Sequence, residues 1–233
     1  IVAGSAAFVA YTYGIYPAAL ALVGRARCHR RPPSEPGEWP PITITVPVYN
    51  EEAQVRGLIE SLLAIDYPAD RRHILIVSDG STDGTEAIVR EYADRGVELL
   101  RTEGRAGKTA AENAAAPHVP GEVVINTDAS IRIRPDAVKA LVRELEDPAV
   151  GVASGRDVSV ASDDAEANVG ESGYVGYEMW VRSLENRVDG IVGASGCFYA
   201  IRRGLHQLHV PAHLSRDFSA ALNARRHGYR AVS

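Results

Sequence analysis

A mostly parallel α/β sheet with helices on both faces, preceded by one transmembrane helix, is the fold class this sequence predicts. Three observations carry it. Short apolar runs recur along the chain and alternate with segments whose apolar residues fall at helical spacing. Glycines and carboxylates gather just after those runs, where an open parallel sheet binds its ligands. The first 24 residues contain no Asp, Glu, Lys, Arg or His.

That opening segment comes first in the justification. A helix of its length spans about 36 Å, more than the roughly 30 Å hydrocarbon core of a bilayer. Arg25, Arg27, Arg30 and Arg31 follow it, a basic flank that stays on the cytoplasmic side. A signal peptide would carry its basic residues before the apolar run; a buried helix of a soluble domain is the other reading. Pro17 is expected to kink the span, and Ile1 implies a chain that starts earlier. Arg30 to Pro41 holds five of the 13 prolines and reads as an extended linker. The predicted organisation is therefore a span at 1–24, a basic and proline-rich linker at 25–41, and a catalytic-sized domain at 42–233, which is expected to continue past Ser233.

Within the domain, Ile42–Val46 reads as a strand and Asn50 as the cap of a helix carrying Val55, Leu58, Ile59, Leu62 and Leu63 on one face. Ile74–Val77 is a buried strand, followed by a helix from about Thr82 to Arg95. Val97–Leu100 is a strand, Lys108–Ala116 an alanine-rich helix and Val123–Ile125 another buried strand. Pro135 opens a helix with Val138, Leu141, Val142 and Leu145 on one side. Tyr174–Glu185 reads as a helix whose Tyr177, Trp180, Val181 and Leu184 form a stripe, taken as core. Gly151–Ala153 and Phe198–Ile201 are strands, and Asp217–His227 is a helix closed by Gly228.

Composition narrows the function. The 233 residues are 45% hydrophobic and 24% charged, which excludes a disordered or collagen-like chain. A net charge of −5 argues against nucleic acid as a partner. Cys28 and Cys197 form neither a disulfide framework nor a zinc spacing, and Cys197 is expected to be a small buried residue. Only Lys108 and Lys139 are lysines, so Lys108 stands out among its neighbours.

Four consecutive strand ends carry the chemistry-bearing residues: Val46-Pro-Val-Tyr-Asn-Glu-Glu52, Ser78-Asp-Gly-Ser-Thr-Asp-Gly-Thr85, Glu103-Gly-Arg-Ala-Gly-Lys-Thr109 and Asn126-Thr-Asp-Ala-Ser130. Taken singly, each has a structural explanation as a turn dipeptide or a helix cap. Four in register at one sheet edge exceed what turn chemistry requires. No Gly-x-Gly-x-x-Gly follows the first strand, which argues against a dinucleotide fold. Gly104 lies three residues before Gly107 instead of the five that a phosphate loop needs, which argues against a P-loop NTPase.

These segments, with Asn113, Gly193-Ala-Ser-Gly196 and Arg216-Asp-Phe218, occur in the order seen in family 2 glycosyltransferases, and the chain resembles that family over about residues 42–233. The resemblance implies an inverting enzyme of the GT-A fold, closest to the membrane-bound polysaccharide synthase branch. It implies a UDP-sugar donor, with Pro47, Tyr49 and Glu51 around the nucleoside, Asp79 accepting from the base, and Arg105 and Lys108 near the base and diphosphate. Asp128 matches the first acidic residue of the family's metal motif, implying Mg²⁺ or Mn²⁺. Gly193, Ser195 and Gly196 match acceptor-side positions, and Asp217 matches the general base that takes the acceptor hydroxyl's proton. The implied acceptor is a saccharide in polysaccharide synthesis, with a lipid-linked polyprenyl phosphate as the alternative. The implied location is the cell membrane, with the catalytic domain in the cytoplasm.

Two positions depart from the family pattern. Ser130 replaces the second metal carboxylate, and Arg216 stands beside Asp217 where an acidic or small residue is usual. On those departures, a sugar-nucleotide-binding module without catalysis is the reading from another class. Arg202 and Arg203, after the Phe198–Ile201 strand, belong either near phosphate or in solvent.

Overall fold

The structure is a computed structural model that describes residues 2–27, 35–155 and 169–233. Its centre is a seven-stranded sheet in the order β3-β2-β1-β4-β6-β5-β7. The strands are β1 (Ile42–Val48), β2 (Arg72–Ser78), β3 (Val97–Arg101), β4 (Val123–Thr127), β5 (Val150–Ser154), β6 (Phe198–Arg202) and β7 (Arg230–Val232). β1, β2, β3 and β4 run parallel, so their four carboxyl ends share one edge. β6 runs antiparallel between β4 and β5, and β7 pairs parallel to β5. Because β6 is reversed, it enters the sheet at the edge where β4 leaves, with Phe198 opposite Thr127.

Both faces are covered, which is why β2 and β4 contain continuous apolar runs, Ile74–Val77 and Val123–Ile125, and why Thr43 and Thr45 of β1 are buried beside its apolar residues. Ile42, Ile44, Val46 and Val48 pack with α3 (Val55–Leu63) and α6 (Ala137–Glu144) on one face. Leu75, Val77 and Val124 pack on the other, with α5 (Lys108–Ala115) and α9 (Arg216–Arg226). Between these elements lie α4 (Thr85–Arg90) and the short α8 (Arg203–His206). The N-terminal helix comprises α1 (Val2–Ala10), a π-helical turn (Tyr11–Ile15) and α2 (Tyr16–Arg27). The expected kink therefore takes the form of a π turn just before Pro17, whose missing N–H and ring disturb the preceding ladder.

Several local expectations are corrected. Asn50 does not cap α3; it takes a left-handed φ of 54°. Its side-chain oxygen accepts from Thr82 N at 2.8 Å and so ties the loop after β1 to the loop after β2. The Glu51 carbonyl receives Gln54 N and Val55 N in its place. The helix expected over Thr82–Arg95 is confined to Thr85–Arg90, with a separate 3₁₀ turn at Ala93–Arg95. Pro135 lies outside α6, which starts at Ala137.

The aromatic stripe is not core either. It lies on α7 (Val169–Val188), where Leu184 is buried but Trp180 is 49% exposed. Tyr177 packs on Tyr13 with ring centroids 5.2 Å apart and donates to the Thr12 carbonyl at 3.1 Å. Its neighbour is thus the N-terminal helix and not the sheet. Arg202 and Arg203 reach backbone carbonyls of Val150, Leu145 and Pro120. That is the edge opposite the four strand ends, so neither stands near phosphate. Cys28 and the rest of the linker stretch 28–34 lie outside the described residues.

Candidate active site

The strand ends become a site because their loops lock onto one another. After β2, Gly80 adopts φ 70°, and a Cβ there would stand 2.8 Å from the Gly104 backbone. Only glycine lets the two loops approach that closely. Beside it, Asp79 is buried and accepts from Ala106 N and Gly107 N, both at 2.8 Å. The carboxylate therefore holds the 104–107 loop in place, with lone-pair capacity left for a base N–H. Arg105 of that loop stacks its guanidinium 4.1 Å from the Tyr49 ring centroid. Glu51 N and Glu52 N donate to Thr85 Oγ1 and Asp83 Oδ2, which joins the first two loops.

The fixed loop starts α5 at Lys108, which lines a hollow of about 290 Å³ with Glu112, Asp128, Gly196, Tyr199 and Asp217 among its walls. The Lys108 ammonium meets Asp128 Oδ1 at 2.5 Å and donates to the Gly196 carbonyl at 2.6 Å. Burial works against that charge, but the hydrogen bond and charge of Asp128, helped by Glu112 and Asp217, more than offset it and raise the Lys108 pKa. Asp128 N donates to the Cys197 carbonyl at 3.2 Å, the direct result of β6 entering beside the end of β4. Cys197 itself is half-buried on the pocket wall, not fully buried as expected.

Asp217 arrives from α9. Ser215 Oγ donates to Asp217 Oδ1. The other oxygen lies 3.0 Å from where a Cβ on Gly196 would sit, so any side chain there would displace the carboxylate. α9 is itself held by α5: Thr109 Oγ1 donates to the Leu214 carbonyl at 2.9 Å, and Asn113 Nδ2 to the Val210 carbonyl at 2.6 Å. Arg216 turns inward and is buried. It donates to Asn113 Oδ1 at 2.5 Å and to the His206 carbonyl. It therefore braces the helix start and does not sit as a cation beside the Asp217 carboxylate.

Of the residues expected from the sequence, the structure gathers Lys108, Asp128, Gly196 and Asp217 around one hollow. Asp79, Tyr49 and Arg105 stand at the adjoining loops. Pro47 is within β1 opposite Val77, away from the hollow. Gly193 packs toward Phe218, and Ser195 is buried behind the wall, where its N donates to Ser154 Oγ at 2.7 Å.

Sequence reasoning passed over Glu112 and Tyr199. Glu112 is 1% exposed, and burial first, against the charges of Lys108 and Arg216, pushes its pKa up to about 7. Burial, then the nearby Glu112 charge, likewise raises the Tyr199 phenol. The available signal was a glutamate four residues after Lys108, on the same helical face, inside an otherwise alanine-rich helix.

Asp128 fits a divalent cation that arrives with a phosphate ligand. Among the described residues no three His, Cys, Asp or Glu side chains form a metal cluster, so an all-protein cage is not what this site offers. One carboxylate plus substrate phosphates and water is the usual magnesium arrangement.

Residues 43–207 match the family described as Glycosyl transferase family 2. A beta-monoglucosyldiacylglycerol synthase of Nostoc sp. is 26% identical over 171 residues, 72% of this chain and 36% of that protein. A dodecaprenyl-phosphate galacturonate synthase of Rhizobium johnstonii is 31% identical over 110 residues, 45% of this chain and 32% of the relative. Among solved structures, a mannosyltransferase of Pyrobaculum calidifontis in complex with GDP-Man and Mn²⁺ matches with TM-score 0.78 and 25% identity, over 100% of this chain and 66% of the other. The chain spans about a third of the length of the curated relatives it matches.

Proposed function

The chain belongs to glycosyl transferase family 2 and has the GT-A fold, and on that premise we propose that it transfers a sugar from a UDP-sugar to an acceptor hydroxyl with inversion. The observation that carries the reading is the convergence of Lys108, Asp128 and Asp217 on one hollow at the carboxyl edge of the sheet. Tyr49, Glu51, Asp79 and Arg105 take the nucleoside. Lys108 and Asp128 take the diphosphate, the ammonium as a point charge. Mg²⁺ or Mn²⁺ bound at Asp128 with the diphosphate supplies neutralisation of the charge on the leaving group.

Asp217 is the general base. Ser215 orients one carboxylate oxygen, and the other faces Gly196, whose missing side chain leaves room for the acceptor. The base enters from α9 and the diphosphate clamp from α5 and the β4 end. Proton removal and leaving-group stabilisation thus come from separately positioned elements. The acceptor read from the sequence is a growing saccharide. Transfer to a lipid acceptor is the second reading, favoured by the names of the Nostoc and Rhizobium relatives. An apolar helix, Ala7–Arg25, is long enough to cross a bilayer, and Arg25 at its end supports a cytoplasmic catalytic domain at the cell membrane.

The test is Asp217→Asn. The expected result is loss of at least about 10³-fold in transfer, with UDP affinity in the presence of Mn²⁺ changed less than about twofold. Turnover at the wild-type rate overturns the base assignment, and preference for GDP over UDP overturns the uracil reading of Asp79. Extraction of the labelled product into organic solvent identifies a lipid acceptor; retention in the aqueous polymer fraction identifies a saccharide.

A further inference from the structure

The hollow has a floor that the proposed chemistry does not use. Glu112 and Tyr199 line it. The Glu112 Oε2 and the Tyr199 hydroxyl are both shielded from solvent, and neither has a hydrogen-bond partner. Glu112 is 1% exposed and Tyr199 2%. Buried polar atoms of this kind are rare in folded proteins, because each forfeits its hydrogen bonds to water without replacement. Two of them on one pocket floor, a carboxyl group and a phenol, offer both donor and acceptor capacity to whatever sits above.

The elements that present them are rigid. Glu112 is one helical turn beyond Lys108 on α5, and Tyr199 lies within β6 opposite Asn126. Each is thus fixed by the same helix or strand pair that brings Lys108 or Asp128 to the wall. The surrounding charges are Lys108 and Arg216 on one side and Asp128 and Asp217 on the other. The floor is therefore polar but charge-balanced, which suits a neutral polyhydroxylated ring better than a second anion.

We propose that Glu112 and Tyr199 are specificity-determining residues that hydrogen-bond hydroxyl groups of the sugar being transferred and so select a neutral hexose by its hydroxyl pattern. The proposal rests on the donor reading given above. A site built around buried hydrogen-bonding groups rejects a sugar that leaves them unpaired far more strongly than an apolar pocket rejects a misfit. The selectivity of the enzyme then resides in two side chains, Glu112 and Tyr199, that are neither the base nor the diphosphate clamp.

The experiment uses Glu112→Leu, Glu112→Gln and Tyr199→Phe in the full chain, purified in detergent with Mn²⁺. Nucleotide release is measured with UDP-glucose, UDP-galactose, UDP-N-acetylglucosamine and GDP-mannose, together with calorimetric binding of UDP and GDP alone. The expected result is that Glu112→Leu and Tyr199→Phe each shrink the kcat/KM ratio between the best and worst of the three UDP-sugars, which share one base, by about tenfold or more. Glu112→Gln, which keeps hydrogen-bonding capacity, retains more of that ratio than Glu112→Leu. Nucleotide affinity stays within about twofold, and Tm is held or raised because an unpaired buried polar group has gone. Unchanged donor ratios in folded variants that still bind nucleotide overturn this proposal alone. Failure of the wild-type chain to bind either nucleotide overturns the donor reading and this proposal with it.

Discussion

Buried charge is the governing feature at the residue scale. Glu112 titrates at about 7 instead of 4.5, and His206, with burial first and Arg216 second as causes, at about 3 instead of 6.5. The two act on stability with opposite sign. Between pH 4.5 and 7 the folded Glu112 holds a proton that the unfolded chain releases, so its contribution falls as pH rises, by about 3 kcal/mol in full. Between pH 6.5 and 3 the unfolded His206 binds a proton that the folded chain refuses, so its contribution falls as pH drops. Over pH 4.5–6.5 these slopes oppose each other. Glu112→Gln removes the first, and its Tm is expected to climb from pH 4.5 to 6.5 more steeply than that of the wild type. Superimposable Tm profiles would contradict the buried carboxyl assignment. Lys108, Asp128 and Asp217 were legible in the sequence because each stands at a strand or helix end. Glu112 was not, because its meaning depends on burial, which a linear pattern around one glutamate does not reveal.

At the scale of elements, α5 organises the site. One line of it presents Lys108 and Glu112 to the hollow, while Thr109 and Asn113, also four apart, hold the segment that leads to Asp217. Asn113→Ala leaves the Val210 backbone without its side-chain partner and takes one of two hydrogen bonds from the buried Arg216, which keeps the His206 carbonyl, an expected cost of about 2–4 kcal/mol. A lowered Tm and a fall in kcat larger than any rise in KM are the expected readouts, because Asp217 loses its bracing while the nucleoside loops do not. A variant with wild-type kcat would show that α9 is positioned without this clamp. α7 has a comparable linking role. Tyr16 donates to Glu185 Oε1 at 2.7 Å, and Val192 N to Glu185 Oε2 at 3.4 Å. This ties the N-terminal helix to the segment that carries Gly193 and Gly196. The periodicity of Tyr177, Trp180 and Leu184 identified a helix with an aromatic side. It did not identify the partner, since an apolar stripe has the same spacing whether it meets a sheet or another helix.

Across the whole molecule, a sheet with every strand covered is joined to a helix that is almost bare. Phe8, Val9, Ile15, Leu22 and Val23 are exposed along the Ala7–Arg25 span. Ile15→Asp, near the middle of that span, combined with Leu22→Asp is expected to shift the chain from a carbonate-resistant membrane pellet to the soluble fraction, the central charge alone costing about 3 kcal/mol in a bilayer. Persistence in the pellet would refute the span. The sequence by itself determined the α/β class, the membrane-competent helix and the edge on which the chemistry lies, because strand and helix periods and strand-end polar clusters are local properties of the chain. Only the tertiary structure decided which of those polar residues share one hollow, that Arg216 faces inward, and that Glu112 and Tyr199 form the floor. Those outcomes depend on β6 running antiparallel beside β4 and on α5 clamping α9. Such contacts join residues between about 70 and 105 positions apart, and no local pattern encodes them.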